Sequence, residues 1–89
     1  MWDWDEGKRQ RTLRDRGVDF AAVERFDFGS ATIDPDIRQD YGEVRLLALG
    51  LIDGRLHALV FTRRNGVGRV ISLRRANARE HRTWQSRQN

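Results

Sequence analysis

The fold is decided by residues 43–75, which read EVRLLALGLIDGRLHALVFTRRNGVGRVISLRR. Asp53-Gly54 and Asn65-Gly66 separate three apolar runs in this stretch. Both dipeptides tolerate the positive φ angles that a two-residue type I′ turn requires. The sequence therefore predicts a three-stranded antiparallel meander, with strands near residues 44–52, 55–64 and 67–75.

The second turn also predicts which residues of the last two strands face each other. With Asn65-Gly66 as the loop, Val60 lies opposite Ile71, and Ala58 lies opposite Leu73. Because side chains alternate across a strand, these four residues share one face. That face is wholly apolar, so another part of the chain must cover it.

The opposite face of the predicted meander mixes apolar and polar side chains. It carries His57, Ser72 and Arg74, and this register places His57 directly opposite Arg74. A one-residue slip would exchange the faces of a whole strand. We expect the functional site on this mixed face, on the side of the sheet away from the core.

The N-terminal third predicts a short strand and a helix. Trp2 and Trp4 alternate with acidic residues, which favours a strand with both indoles packed in the core; a base-stacking platform is the alternative. Asp5 is the expected N-cap of a helix that continues to about Arg16, and Gly17 supplies its left-handed C-terminal position.

Further elements flank the meander. Asp19 is the expected N-cap of a second helix, near residues 20–26, whose Phe20 and Val23 would cover the apolar face. Residues 30–33 form a candidate short strand. Asn77 and Glu80 resemble a capping box that opens a C-terminal helix to about Gln85. The predicted fold class is α+β, with the N-terminal helices on one face of a mainly antiparallel sheet of three to five strands.

The length and composition limit what the chain can be. Its 89 residues predict one domain, residues 1–89, and the absence of cysteine excludes disulfides and thiolate metal sites. The longest apolar run, residues 46–52, is much shorter than a membrane span of about 20 residues. The acidic N-terminus shows no signal-peptide pattern. We expect a cytoplasmic protein without a membrane partner.

The net charge of +4 is unevenly distributed along the chain. Residues 1–45 contain 8 Lys or Arg and 11 Asp or Glu, whereas residues 46–89 contain 9 Arg and 2 acidic residues. This basic half favours a polyanionic partner such as nucleic acid; a surface that only maintains solubility is the alternative. We favour the polyanion because 16 of the 17 basic residues are Arg, which binds phosphate through two hydrogen bonds and stacks on bases.

One helix face and one acidic loop are further candidates for binding. Lys8, Thr12 and Arg16 recur at intervals of four residues, so they share a face that is either simply solvated or directed at phosphate. Carboxylates between residues 34 and 43 are hard ligands that could hold a divalent ion, but their spacing matches no calcium loop. We therefore predict neither a metal site nor a cofactor. The carboxylates concerned are Asp34, Asp36, Asp40 and Glu43.

Two sets of motifs carry a family resemblance. The first reads WDWDEGK at residues 2–8, followed by Thr12 and by RGVDF at residues 16–20. The second reads TRRNG at residues 62–66, followed by RVISLRRANARE at residues 69–80. In order, spacing and chain length, these motifs resemble the BrnT-type toxins of bacterial type II toxin–antitoxin systems.

The resemblance implies a RelE-like fold and an endoribonuclease toxin that inhibits translation and growth. It also implies an RNA substrate and a cognate antitoxin with a ribbon-helix-helix DNA-binding part, through which alone the complex would reach operator DNA. Two positions depart from the family pattern, because Thr12 replaces an Asn and Arg16 replaces a His. Arg does not lose its proton in proteins, so Arg16 can bind phosphate but cannot transfer a proton.

Metal-independent RNA cleavage requires groups that orient phosphate and groups that move protons. We expect Arg64 and Arg74 to be the leading phosphate contacts and to share one hollow. His57, His81 and Glu80 are the candidates for proton transfer, with His57 favoured as a base beside Arg74; structural roles for His57 and Glu80 are the alternatives. Further RNA contacts are predicted at Lys8, Arg16, Arg63, Arg69, Arg75, Arg79 and Arg82.

Two other functions fit the same residues. A non-catalytic RNA-binding module, or a silenced toxin acting through its antitoxin complex, explains the basic half and the missing His. An interaction protein whose Arg-rich face binds an acidic partner is the third reading. The RNA-binding module predicts RNA binding without shortening of the strand. The interaction protein predicts no RNA binding once its acidic partner is removed.

Overall fold

Both predicted turns are present. Asp53 and Asn65 have φ angles of 52° and 54°, and the glycines that follow them, Gly54 and Gly66, have φ angles of 80° and 79°. Positive φ at two successive positions defines the type I′ hairpin, which explains why each turn pairs Asp or Asn with Gly. The three-stranded meander is confirmed.

The computed structural model describes residues 1–88 and shows an α+β architecture. The strands are β1 (Trp2–Trp4), β2 (Thr32–Pro35), β3 (Leu46–Ile52), β4 (Arg55–Arg64) and β5 (Val67–Arg75). The helices are α1 (Glu6–Arg16), a 3₁₀ helix (Phe20–Arg25) and α2 (Ala78–Ser86).

The five strands form one sheet in the order β1-β5-β4-β3-β2. β1 runs parallel to β5, and every other neighbouring pair is antiparallel. The predicted N-terminal strand and the short strand after Ser30 both exist, and they extend the meander at its two edges. Among residues 1–88, no helix is long and apolar enough to cross a membrane.

The predicted register between the last two strands is wrong beyond Phe61. Phe61 pairs with Val70 as the turn dictates, but Val60 pairs with Ser72, which leaves Ile71 as an extra residue in β5. This β-bulge moves the rest of β5 along by one position. His57 consequently pairs with Arg75 rather than with Arg74.

The predicted core face is also wrong. Phe20, Val23 and Phe26 pack against the face that carries Ala48 and Leu59, and not against the face predicted to be dry. Both faces of the sheet are apolar, so alternation alone could not choose between them. Gly50 is consistent with packing on this face, because only a residue without a Cβ lets the Phe26 ring approach so closely: an added Cβ would lie 2.5 Å from the ring.

The predicted dry face is covered by α2 instead. Leu49, Leu56 and Ala58 form a second buried cluster against which Trp84 of α2 packs. The Trp84 indole N–H donates to the Ser30 carbonyl oxygen at 3.1 Å. The sheet therefore has a layer on each side, and no broad sheet face is left open for a site.

The predicted helix ends are confirmed. The Asp5 side chain accepts a hydrogen bond from the Lys8 N–H, and Gly17 is left-handed with φ 69°. Asp19 caps the predicted second helix, which is a 3₁₀ helix, and Asn77 and Glu80 form both bonds of a capping box. α1 buries no residue, so it lies on the surface of the domain instead of packing deeply on the sheet.

Candidate nucleic-acid interface

A basic groove runs between α1 and the outer edge of β5. β1 pairs only with residues 68–70 of β5, so the following residues of β5 have no strand beside them on that edge. α1 flanks this edge and leaves a groove of about 260 Å³. Its polar lining consists of Lys8, Thr12, Arg16, Ser72 and Arg74. The predicted shared face of α1 thus meets the predicted polar residues of β5.

The groove continues around the C-terminal end of α1. A second hollow of about 150 Å³ is lined by Arg16, Val18, Arg74 and Arg75. Arg16 and Arg74 border both hollows, so the two form one continuous surface. Among residues 1–88 no carboxylate lines either hollow, so the lining carries a net positive charge.

Three of its cations are not neutralised by the protein. Within residues 1–88, neither Lys8, Arg16 nor Arg75 lies in ion-pair distance of a carboxylate. Within the same residues, nine arginines do have such partners, and three of the cations without one line this groove. Such a cluster can bind an anion without first breaking an ion pair.

Arg74 is held in place by Glu80. Its two terminal nitrogens donate to the two carboxylate oxygens of Glu80 at 2.8 and 2.9 Å. These bonds with Arg74 hold the pKa of Glu80 below its ordinary value of 4.5, so the carboxyl is ionised at neutral pH. Glu80 also accepts from the Asn77 N–H as part of the capping box, which ties the guanidinium to the start of α2.

His57 lies beside the groove but on the opposite face of the sheet from Arg74. It lines a neighbouring cavity that also contains Val18 and Arg75, two residues that border the groove. One ring nitrogen, Nδ1, lies 2.8 Å from the Arg55 carbonyl oxygen. Burial first, and then the nearby charges of Arg75 and Arg55, lower the pKa of His57 below 6.5, which keeps the imidazole neutral.

Arg64 is remote from the groove. It lies at the turn end of β4, six residues from the position paired with Arg74, which is roughly 20 Å along a strand. Its guanidinium donates to the Glu43 carboxylate at 2.9 to 3.1 Å. The expectation that Arg64 and Arg74 share one hollow is wrong, because the two lie toward opposite ends of the sheet.

The remaining predicted contacts fall on two other surfaces. Arg63 lies near Arg64 at the turn end of the sheet, while Arg69 donates to Asp3 at 3.2 Å. Arg79 and Arg82 are exposed on α2, as is His81. The acidic loop has its own partners, with Asp34 bound to Arg87, Asp36 to Arg38, Glu43 to Arg64, and Asp40 to the Gly42 N–H.

Sequence reasoning missed Arg38. The Asp36 carboxylate is buried and accepts two bonds of 2.8 Å from the exposed Arg38 guanidinium. The positive charge of Arg38 contributes to the lowered pKa of Glu80, so it lies in the electrostatic surroundings of the Arg74–Glu80 pair. An Asp-x-Arg spacing in a polar loop carries no signal that distinguishes it from an ordinary turn.

The fold and this groove define a small basic α+β domain suited to binding a polyanion. A model of the family described as "ribonuclease toxin, BrnT, of type II toxin-antitoxin system" matches residues 4–80. The chain belongs to this BrnT family, which confirms the resemblance seen in its motifs. No curated protein matches the chain. The family description supports a ribonuclease with an RNA substrate and an antitoxin partner.

Proposed function

We propose that the chain is an endoribonuclease toxin that binds the RNA backbone in the groove between α1 and β5. The observation that carries the proposal is that Lys8, Arg16 and Arg75 line one groove, where the described part of the chain gives them no carboxylate partner. RNA phosphates release condensed counterions when such cations neutralise them, which supplies affinity independent of sequence.

Arg74 takes the leading role at the scissile phosphate. Glu80 occupies one N–H on each terminal nitrogen, and Nη1 also makes a long contact of 3.5 Å to the Arg75 carbonyl oxygen. The Nε–H and the second N–H of Nη2 therefore stay available for phosphate oxygens. A guanidinium fixed before the substrate arrives stabilises the extra negative charge of the transition state without reorganising. Glu80 is then a positioning residue for Arg74 in addition to capping α2.

The proposed reaction needs no metal ion. The ribose 2′-oxygen attacks the adjacent phosphorus, a 2′-O–P bond forms, and the P–O5′ bond breaks to leave a cyclic phosphate and a 5′-hydroxyl. One proton leaves the 2′-hydroxyl, and one proton reaches the departing 5′-oxygen. Arg16 stands where the family pattern has a His, and it can bind a phosphate but cannot transfer a proton. Another side chain must therefore accept the proton of the 2′-hydroxyl.

His57 is the side chain that we assign to proton uptake. It is neutral because burial lowers its pKa. Its side chain lies on the sheet face opposite Arg74, so it can act only on RNA at the second hollow, which Arg74 and Arg75 both border and where Arg75 also borders the His57 cavity. The ionised Glu80 is a weaker base because its pKa is lowered and its oxygens are already bound to Arg74. In the cell, an antitoxin with a ribbon-helix-helix part would restrain this activity in the cytoplasm, as the family resemblance implies.

Cleavage of RNA by the purified chain, without antitoxin and in EDTA, tests the proposal. Arg74→Lys keeps the charge but loses the two-pronged geometry, and we expect a fall in rate of about 10²-fold. Arg11→Lys on the exposed surface of α1 is the matched control and should cleave like wild type. Strict dependence on a divalent ion would overturn the mechanism.

A non-catalytic RNA-binding protein is the second candidate. One observation favours it: of the residues that the structure describes, no His, Asp or Glu lines either hollow of the groove. In that case the chain would retard RNA in a gel with strong salt dependence, while the RNA would keep its full length in every variant.

A further inference from the structure

An apolar cavity lies at the turn end of the sheet, away from the basic groove. Its volume is about 390 Å³, and Gly66 and Gly68 of the second hairpin form part of its wall. Gly68 is six residues before Arg74 in β5, which places the cavity roughly 20 Å from the Arg74–Glu80 pair. The other side chains that matter here are Trp2, Phe28, Ile33, Phe61 and Arg63.

Exposed apolar side chains are concentrated at this cavity. Met1, Phe28 and Ile33 border it and are 93%, 39% and 43% exposed. They are three of the six large hydrophobic side chains that the described part of the chain leaves exposed. Apolar surface gathered around a concave site marks a place where a ligand binds.

The aromatic rings of the cavity are fixed in position. The Trp2 ring lies against Gly68, where an added Cβ would be 2.7 Å from the ring, so only glycine allows this packing. Phe61 packs edge-on to Trp2 with centroids 5.4 Å apart, and Phe28 lies parallel to Trp2 at 5.9 Å. A ligand that stacks on these rings therefore meets surfaces that are already ordered.

A cation without a carboxylate partner stands at the same cavity. Arg63 forms no ion pair with the residues that the structure describes, and its one recorded bond is a long contact of 3.5 Å to the Gly66 carbonyl oxygen. Rings for stacking beside a guanidinium for phosphate are the features that proteins use to hold single-stranded nucleic acid. An apolar peptide anchor would use the rings but would leave this charge unmatched.

We infer that this cavity is a nucleotide subsite for single-stranded RNA, with a base held against the exposed ring of Phe28, which Trp2 supports, and a phosphate bound by Arg63. The inference rests on the proposed function, because the same RNA strand would also lie in the basic groove. The subsite sets which part of the strand is presented to the groove, and unlike the groove it binds a base as well as a phosphate.

The test compares two short RNA strands by fluorescence anisotropy. Both carry 2′-O-methyl groups, which remove the attacking hydroxyl and prevent cleavage, and one of them lacks bases at its central positions. We expect wild type to bind the strand with bases roughly 10-fold more tightly than the abasic strand. Phe28→Ala should remove most of this preference, whereas Leu13→Ala, at a similarly exposed apolar residue on α1, should keep it.

Two further variants separate this inference from the proposed function. Arg63→Gln lies on an exposed side chain, so it should fold normally, and it should weaken binding of both strands. Arg16→Gln in the groove should weaken both strands equally and leave the preference for bases intact. If wild type shows no preference, or if Phe28→Ala retains it, the subsite is refuted. If the preference persists while Arg16→Gln has no effect, the groove proposal fails instead.

Discussion

At the scale of single residues, the absence of a side chain at Gly50 allows the Phe26 ring to pack directly on β3. The Phe26 ring lies directly over the Gly50 backbone, and a Cβ added to Gly50 would be 2.5 Å from a carbon of that ring. Phe26 belongs to the main buried cluster with Phe20 and Val23, and so helps the connection after α1 to cover that face. A rigid ring over a strand cannot be displaced without disturbing this cluster.

Gly50→Ala should therefore reduce stability. We expect the free energy of unfolding to fall by about 1–3 kcal/mol, because the added methyl group overpacks the core. Urea denaturation followed by circular dichroism measures it. In a Phe26→Leu background the same change should cost less, and equal costs in the two backgrounds would contradict this account of the contact.

His57 should make stability depend on pH. Burial lowers its pKa in the folded chain below the ordinary value of 6.5, so the unfolded chain binds more protons between these two pKa values. The free energy of unfolding therefore rises with pH: the stabilisation is complete above about pH 6.5 and is lost as pH falls toward the lowered pKa.

The pH test compares urea denaturation at pH 7.5 and pH 5.5, a range above the ordinary pKa values of carboxyl groups. His57→Gln should lose stability less steeply than wild type as pH falls. His81→Gln, the same change on the exposed surface of α2, is the control. An unchanged pH dependence in His57→Gln would show that the buried imidazole is not the responsible group.

At the scale of elements, the start of α2 joins a helix cap to the proposed phosphate site. Glu80 bonds the Asn77 N–H and also fixes the Arg74 guanidinium. Glutamine can replace glutamate in a capping box, but it cannot form the same ion pair with Arg74. The two roles of Glu80 are therefore separable by substitution.

Glu80→Gln should change stability little and reduce RNA cleavage, because Arg74 loses its charged partner. Asn77→Ala should show the reverse, with a loss of about 1 kcal/mol in the free energy of unfolding and nearly unchanged cleavage. Denaturation curves and cleavage rates measured on both variants test this. Equal losses of activity and stability in the two variants would show that Glu80 acts only as a cap.

The bulge at Ile71 decides which residues of β5 share a face. The turn chemistry correctly predicts the pairing next to Asn65-Gly66, where Phe61 faces Val70. One inserted residue then transfers Arg75, rather than Arg74, to the side of His57. The sequence carries a weak mark of the bulge, since Val70 and Ile71 are both apolar and the alternation of residues 69–74 shifts by one position there.

At the scale of the whole molecule, the location of unpaired charge matters more than the net charge. Nine arginines form ion pairs with carboxylates, including the predicted leading contact Arg64, whereas Lys8, Arg16 and Arg75 form none with residues 1–88 and line one groove. The sequence gives the number of charged residues but does not reveal which of them form ion pairs in the folded chain. Binding of RNA should therefore depend on the three groove cations and not on Arg64.

The salt dependence of RNA binding tests this distribution. For single-stranded RNA, the slope of log affinity against log salt concentration should become shallower by about 0.7 for each protein–phosphate contact that a substitution removes. Arg16→Gln and Arg75→Gln should each produce this change, while Arg11→Gln, at an exposed Arg of α1 outside the groove, should not. Equal slopes in all three variants would indicate diffuse attraction instead of a groove.

The sequence by itself determined the local structure and the family. Turn dipeptides, helix caps and alternating apolar residues act over a few positions, so the hairpins, α1 and α2 could be predicted, and motifs at fixed spacing indicated the BrnT family that the family match confirms. Only the tertiary structure decided which sheet face Phe20 covers, which arginines meet carboxylates, and that Lys8, Arg16 and Arg74 share a groove. These depend on contacts between residues that are distant in the sequence, and no local pattern records the energies of such contacts.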